Sequence, residues 1–131
     1  MNTKMIMISS TIFLVFLGFN FSFLSNEFLN LLNIDSNQIT VLLFQLLGAL
    51  YLGFAILNWM AKGTLIGGIY NKPIAIGNFM HFGIGAITLI KIALKIETYT
   101  EIIIPLTVVY TLFALTFAYI FMNHPKSKNT Y

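Results

Sequence analysis

Charge is absent from four long stretches of this chain, Met5–Leu24, Ile39–Met60, Ile74–Ile90 and Ile102–Met122, and every Lys, Glu and Asp lies between or outside them. A helix needs about 17–25 predominantly apolar residues to cross roughly 30 Å of hydrocarbon, and each stretch has that length. The pattern predicts an all-α integral membrane protein: four spans in an antiparallel bundle, forming a single transmembrane domain over residues 1–131.

The connections carry their own signals. Ser25–Asn33 places Phe28, Leu31 and Leu32 at helical spacing, with Leu24 one turn earlier. This predicts a short interfacial helix after the first span; an ordinary polar loop with a few apolar residues is the plainer alternative. Asp35 is a good N-cap for the second span, Gln38 completes a capping box, and Ile34 and Ile39 occupy the hydrophobic-staple positions. A helix from Ser36 to Ala61 is about 39 Å long and has to tilt or protrude. Trp59 suits the aromatic belt at its end, and Lys62 anchors the boundary. Pro73 and Pro105 suit the first turns of the third and fourth spans. Gly63, Gly67, Gly68 and Asn71 suggest a flexible connection, because no GxxxxGK[ST] pattern or preceding strand makes them a phosphate loop. His124–Lys128 is expected to be a frayed polar tail.

Composition strengthens the membrane reading. The chain is 58% hydrophobic and only 8% charged, whereas soluble domains carry about 25% charged residues. The absence of cysteine excludes disulfides, thiolate metal sites and iron–sulfur clusters. The basic residues are all Lys and form no dense cluster, so the net charge of +3 predicts membrane-edge anchors rather than nucleic-acid binding. The first apolar run is too long for a signal peptide and no A-x-A-like site follows it, so it is expected to be a retained span. With four spans, Lys4, Lys62, Lys72, Lys126 and Lys128 share one side, against Lys91 and Lys95 on the other. By the positive-inside rule both termini are cytoplasmic. The lack of Arg beside many Ile, Asn and Lys suggests an AT-rich bacterial source, hence an inner-membrane location.

Three spans carry stripes of small or polar residues, the usual means of close helix approach in lipid. These are Gln45, Ala49 and Gly53 with Gly48 beside them; Gly77, His81 and Gly85 with Asn78 and Thr88; and Thr107, Thr111, Ala114 and Ala118. The expectation is that they face inward, with Ile, Leu and Phe toward lipid. On the first span, Ser9, Phe13, Phe16 and Asn20 share a face. Gln45, Asn78, His81 and Thr88 are the candidate ligand-binding residues, for a headgroup, quinone or small solute. The alternative is that they hydrogen-bond to protein groups and only fix the packing. A second stripe, Tyr51, Ala55, Asn58 and Lys62, could meet an anionic lipid headgroup through Tyr51, Asn58 and Lys62; interfacial anchoring is the plainer reading. No metal site or cofactor is expected: the only other histidine, His124, lies in the tail, so a bis-His haem lacks its second ligand within one chain. The spans hold no carboxylate, which argues against proton-coupled transport. No HExxH or GxSxG motif suggests hydrolase chemistry.

The segment Leu42–Lys62 resembles the second span of small four-helix bacterial membrane proteins in the broad DoxX-like neighbourhood. Leu46-Leu47-Gly48-Ala49, Leu52-Gly53 and Asn58-Trp59 carry the resemblance. Gln45 stands where a basic residue often precedes the LLGA run in those proteins. The resemblance implies the four-span fold and, by analogy, allows a place in a membrane oxidoreductase; it implies no activity of its own. The sequence thus predicts a non-enzymatic accessory or structural membrane component, either self-associating or bound to a membrane-protein partner. The alternative is lipophile binding or transport through Gln45, Asn78 and His81.

Overall fold

The computed structural model describes residues 2–64 and 71–123. They form five helices: α1 (Thr3–Phe23), α2 (Ser25–Leu31), α3 (Gln38–Ala61), α4 (Lys72–Ala93) and α5 (Thr100–Met122). Four of them, α1, α3, α4 and α5, are long and apolar enough to cross a membrane. Each coincides with an expected span to within a few residues. The glycines at 67 and 68 and the tail from His124 onward lie outside the described residues. The chain divides into two compact units, Lys4–Lys62 and Gly63–Tyr131, the latter joined by Met1–Thr3.

In the unit Lys4–Lys62, α1 and α3 pack antiparallel. The buried residues Met7, Thr11, Leu14, Gly18 and Phe21 follow alternating steps of four and three along α1, with Ser10 beside them. Gly48, Ala55, Asn58 and Ala61 are the buried residues of α3. The helices come closest where the two glycines meet. A Cβ on Gly48 would lie 2.6 Å from the Ser22 nitrogen and 2.8 Å from the Gly18 oxygen, both backbone atoms. Only glycine permits this approach.

The buried faces differ from the ones the sequence suggested. Gln45, Ala49 and Gly53 are exposed, and a Cβ on Gly53 would meet nothing within 4 Å. Ser9 and Phe16 on α1 are exposed as well. The physical reason is complementarity: Gly48 turns inward because Gly18 faces it, and nothing in α3 alone separates Gly48 from the neighbouring small residues.

At the far end of this unit α2 folds back on α3. The Phe21 ring lies 4.9 Å from Phe28, 5.3 Å from Phe44 and 5.7 Å from Tyr51, so one aromatic cluster ties the three helices together. Leu29 is fully buried, whereas Leu31, expected on the apolar face of the short helix, is 63% exposed. A Schellman turn ends α2: the Ile34 N–H donates to the Leu29 carbonyl and the Asn33 N–H to the Asn30 carbonyl. Asn33 adopts the left-handed backbone this requires, with φ of 53°. The cap of α3 is Asn37, not Asp35. Its extended backbone (φ −79°, ψ 163°) aims the side-chain oxygen at the Thr40 N–H, which donates to it at 2.9 Å. Asn and Asp are comparable caps, so local geometry decides between two good candidates.

In the unit Gly63–Tyr131, α4 and α5 pack antiparallel. Pro73 lies in the first turn of α4, as expected. The α5 helix begins at Thr100, two residues before the expected start, so Pro105 falls inside it rather than in its first turn. The proline lacks the N–H that would have bonded the Glu101 carbonyl. The core of this unit is aromatic. Phe82 is fully buried, stacking on Phe113 at 4.8 Å and on Phe117 at 5.8 Å. Tyr110 meets the Phe82 ring edge-on at 5.3 Å and lies against Gly85, where a Cβ would overlap the ring. Phenylalanine was expected to face lipid; these rings turn inward because the missing side chain at Gly85 makes room for Tyr110. Elsewhere the long helices present large apolar side chains outward, as with Phe16 at 66% and Leu115 at 65% exposed, which a bilayer accommodates and water does not.

Candidate functional site

The strongest polar constellation is the contact between α1 and α3. The Asn58 side chain is completely buried and donates from Nδ2 to the Ser10 hydroxyl at 3.1 Å. Ser10 in turn donates to the Met7 carbonyl at 3.0 Å. The neighbouring Thr11 hydroxyl reaches the Met7 carbonyl at 2.8 Å and, across the interface, the Ala55 carbonyl at 3.3 Å. Each hydroxyl has a single proton to give, so Ser10 serves as donor to its own helix and acceptor from α3. The result is a satisfied polar patch inside an apolar helix pair.

The sequence candidates fall in different places. Gln45 is exposed on α3, in a different unit from Asn78, His81 and Thr88. Asn78 is fully buried and donates to the Ile74 carbonyl one turn back at 2.9 Å. Three residues on, the ring of the half-buried His81 lies 4.9 Å from Phe82 and 5.8 Å from Tyr110. Thr88 is exposed and donates to the Ile84 carbonyl at 3.0 Å. Thr107, Thr111 and Thr116 likewise bond carbonyls of their own helix. Such back-bonding is how a hydroxyl or amide in a span is satisfied without a ligand.

The second stripe also divides. Tyr51 joins the aromatic cluster around Phe21, and Asn58 is consumed by Ser10. Lys62 alone stands at the helix end, as the C-cap of α3, with its ammonium 2.7 Å from the centre of the Trp59 ring. Its pKa is held below the ordinary 10.5, first by desolvation and then by the nearby charge of Lys4. Antiparallel packing explains the second cause, since the start of α1 and the end of α3 share one end of the unit. Sequence reading missed Ser10 and Thr11 as partners of α3; the alternating four-three spacing from Met7 to Phe21 was the signal that marks their face.

Among the described residues no group of three or more His, Cys, Asp or Glu could hold a metal ion. Two apolar clefts open along α1. One, of about 560 Å³, is lined by Thr11, Ile12, Val15, Phe16, Phe19, Asn20 and Leu24. The other, of about 310 Å³, lies between Thr11 and Val15 on α1 and Ala55, Ile56 and Trp59 on α3.

Four apolar helices of spanning length mark the chain as a multi-pass membrane protein. No protein-family model matches it, and neither does any curated protein or solved structure.

Proposed function

We propose that the chain is a non-enzymatic accessory or structural component of a bacterial inner membrane, with both termini cytoplasmic and α2 lying in the interface. The observation that carries this reading is the fate of the polar side chains. Asn20, Asn78, Thr88, Thr107, Thr111 and Thr116 each bond a carbonyl one turn back on the same helix. Asn58 and Ser10 bond each other. The first six are satisfied within their own helices and need no ligand, the Asn58–Ser10 pair joins α1 to α3, and the outward apolar faces are left for lipid or a partner helix. A DoxX-like kinship belongs to the same proposal: Gly48 and Asn58, two of the residues that carry the resemblance, are buried, as a packing motif requires.

The test is purification of the full chain from its native membrane in mild detergent. A stoichiometric membrane-protein partner or a defined homo-oligomer is the expected result. A solitary chain holding a lipophile that is lost on His81→Leu or Asn78→Leu substitution would favour the alternative, a binding or transport site. That alternative draws on the aromatic surround of His81. For the orientation, a reporter active only outside the cytoplasm, fused after Tyr131, should be silent.

A further inference from the structure

The clefts along α1 share Thr11 and Val15, so they form one apolar groove. At one end the groove is walled by Trp59, whose ring carries the Lys62 ammonium. From there it descends past Val15 and Phe19 to Leu24. The rise from Thr11 to Leu24 is about 20 Å. The acyl chains of one leaflet cover about half of a roughly 30 Å core. The groove is therefore long enough for a lipid chain and is mostly apolar, and the Lys62 ammonium sits against Trp59 at one end of it.

We propose that this groove binds an anionic glycerophospholipid, with its phosphate between Lys62 and Lys4 and one acyl chain lying over Val15. Charge complementarity selects this occupant. Lys4 and Lys62 share the end of the unit at which the groove begins, and the charge of Lys4 disfavours the charged form of Lys62, a cost that an anion between them would relieve. Trp59 is suited to the glycerol level, where amphipathic rings sit, and its ring holds the Lys62 ammonium against one end of the groove. The site is separate from Gln45, Asn78 and His81 and independent of the accessory role, so either can fail alone.

The experiment is native mass spectrometry of the full chain in micelles. The micelles are doped with equal amounts of phosphatidylglycerol and phosphatidylcholine carrying the same acyl chains. Each lysine beside an anionic headgroup contributes about fivefold. The expected result is retained phosphatidylglycerol in large excess over phosphatidylcholine, reduced about fivefold by Lys62→Gln and nearly abolished by Lys62→Gln with Lys4→Gln. Lys91→Gln, at another helix end, should leave the preference unchanged. Val15→Trp fills the groove from a side chain already 44% exposed, so it should keep the helical circular-dichroism signal and lose both lipids. Equal retention of the two lipids by the folded wild type, or none, overturns the proposal. So does a Lys91→Gln effect as large as that of Lys62→Gln. A dimer that Val15→Trp converts to monomer, with no lipid lost, assigns the groove to a second copy and overturns it as well.

Discussion

Asn58 on α3 and Ser10 on α1 are 48 residues apart in the chain and joined by a 3.1 Å hydrogen bond inside an otherwise apolar helix pair. Both side chains are fully buried, so neither can turn to water if the other is removed. Interhelical hydrogen bonds in membranes contribute about 0.6 kcal/mol on average, because the separated helices find other partners within the bilayer. A double-mutant cycle with Asn58→Leu and Ser10→Ala, measured by unfolding in mixed micelles, should give a coupling of about that size. Zero coupling would show that the pair does not form in lipid.

The glycines provide a graded test of the same helix pair. At Gly48 an added Cβ meets backbone, 2.6 Å from the Ser22 nitrogen. At Gly18 it meets the Leu52 side chain at 2.8 Å and the Gly48 carbonyl at 3.0 Å, so part of the obstruction can give way. At Gly53 it meets open space. Gly48→Ala should cost about 1–3 kcal/mol by forcing the helices apart, Gly18→Ala less, and Gly53→Ala nothing or a gain of up to about 1 kcal/mol from helix propensity. The ranking, read from unfolding midpoints, matters more than any single value. Equal costs at Gly48 and Gly53 would refute the close approach.

The second helix pair allows a rescue experiment. Gly85 lies under the Tyr110 ring, where a Cβ would overlap it, and Tyr110 is buried against Phe82. Gly85→Ala alone should destabilise by about 1–3 kcal/mol. In a Tyr110→Leu background, which removes the ring, the same substitution should cost markedly less. If the two effects simply add, the glycine and the ring are not in contact.

The spans were legible because the bilayer imposes a length and polarity filter that the charge-free stretches display directly. The faces were not. In lipid small residues such as Ala49 and Gly53 can turn inward or outward with little solvation penalty, so nothing in α3 alone favoured Gly48, Ala55 and Asn58 over the expected Gln45–Ala49–Gly53 seam until Gly18 and Ser10 on α1 selected them. The Ser10–Asn58 pair was hidden for the same reason: its partners lie in separate spans, and local periodicity carries no information about which helix they meet. The aromatic core around Phe82 escaped notice because a phenylalanine suits lipid and protein alike. At the start of α3 the expected cap was Asp35; Asn37 is an equally good capping residue type, and its extended backbone decided.

Asn33 tests the turn after α2. It occupies the left-handed region with φ of 53°, and its N–H closes one of the two bonds of the Schellman turn. Asparagine tolerates this conformation and glycine accepts it freely, whereas a β-branched side chain pays the full steric penalty of about 1–2 kcal/mol. Asn33→Gly should be neutral or slightly stabilising, and Asn33→Val should loosen α2. Faster proteolysis or hydrogen exchange at Ser25–Asn33 in the valine variant alone is the expected signature; equal exchange in the two variants would remove the left-handed turn from the account.

Lys62 predicts a pH dependence of definite sign. Desolvation and then the charge of Lys4 hold its folded-state pKa below the ordinary 10.5. The unfolded chain therefore binds more protons than the folded one between the lowered value and 10.5, and stability rises with pH across that window. The charged form is the one disfavoured on folding, so the penalty is fully present below the window and relieved above it. Unfolding midpoints taken at increasing pH toward 10.5, in neutral detergent free of anionic lipid, should climb in the wild type, less steeply in Lys4→Gln, and least in Lys62→Gln, which removes the titrating group. Added salt should flatten the part of the slope that Lys4 contributes, because charges at an exposed helix end are screened. A midpoint that falls as pH rises, with Lys62→Gln abolishing the fall, would mean that the lysine gains an anionic partner on folding rather than a like-charged neighbour.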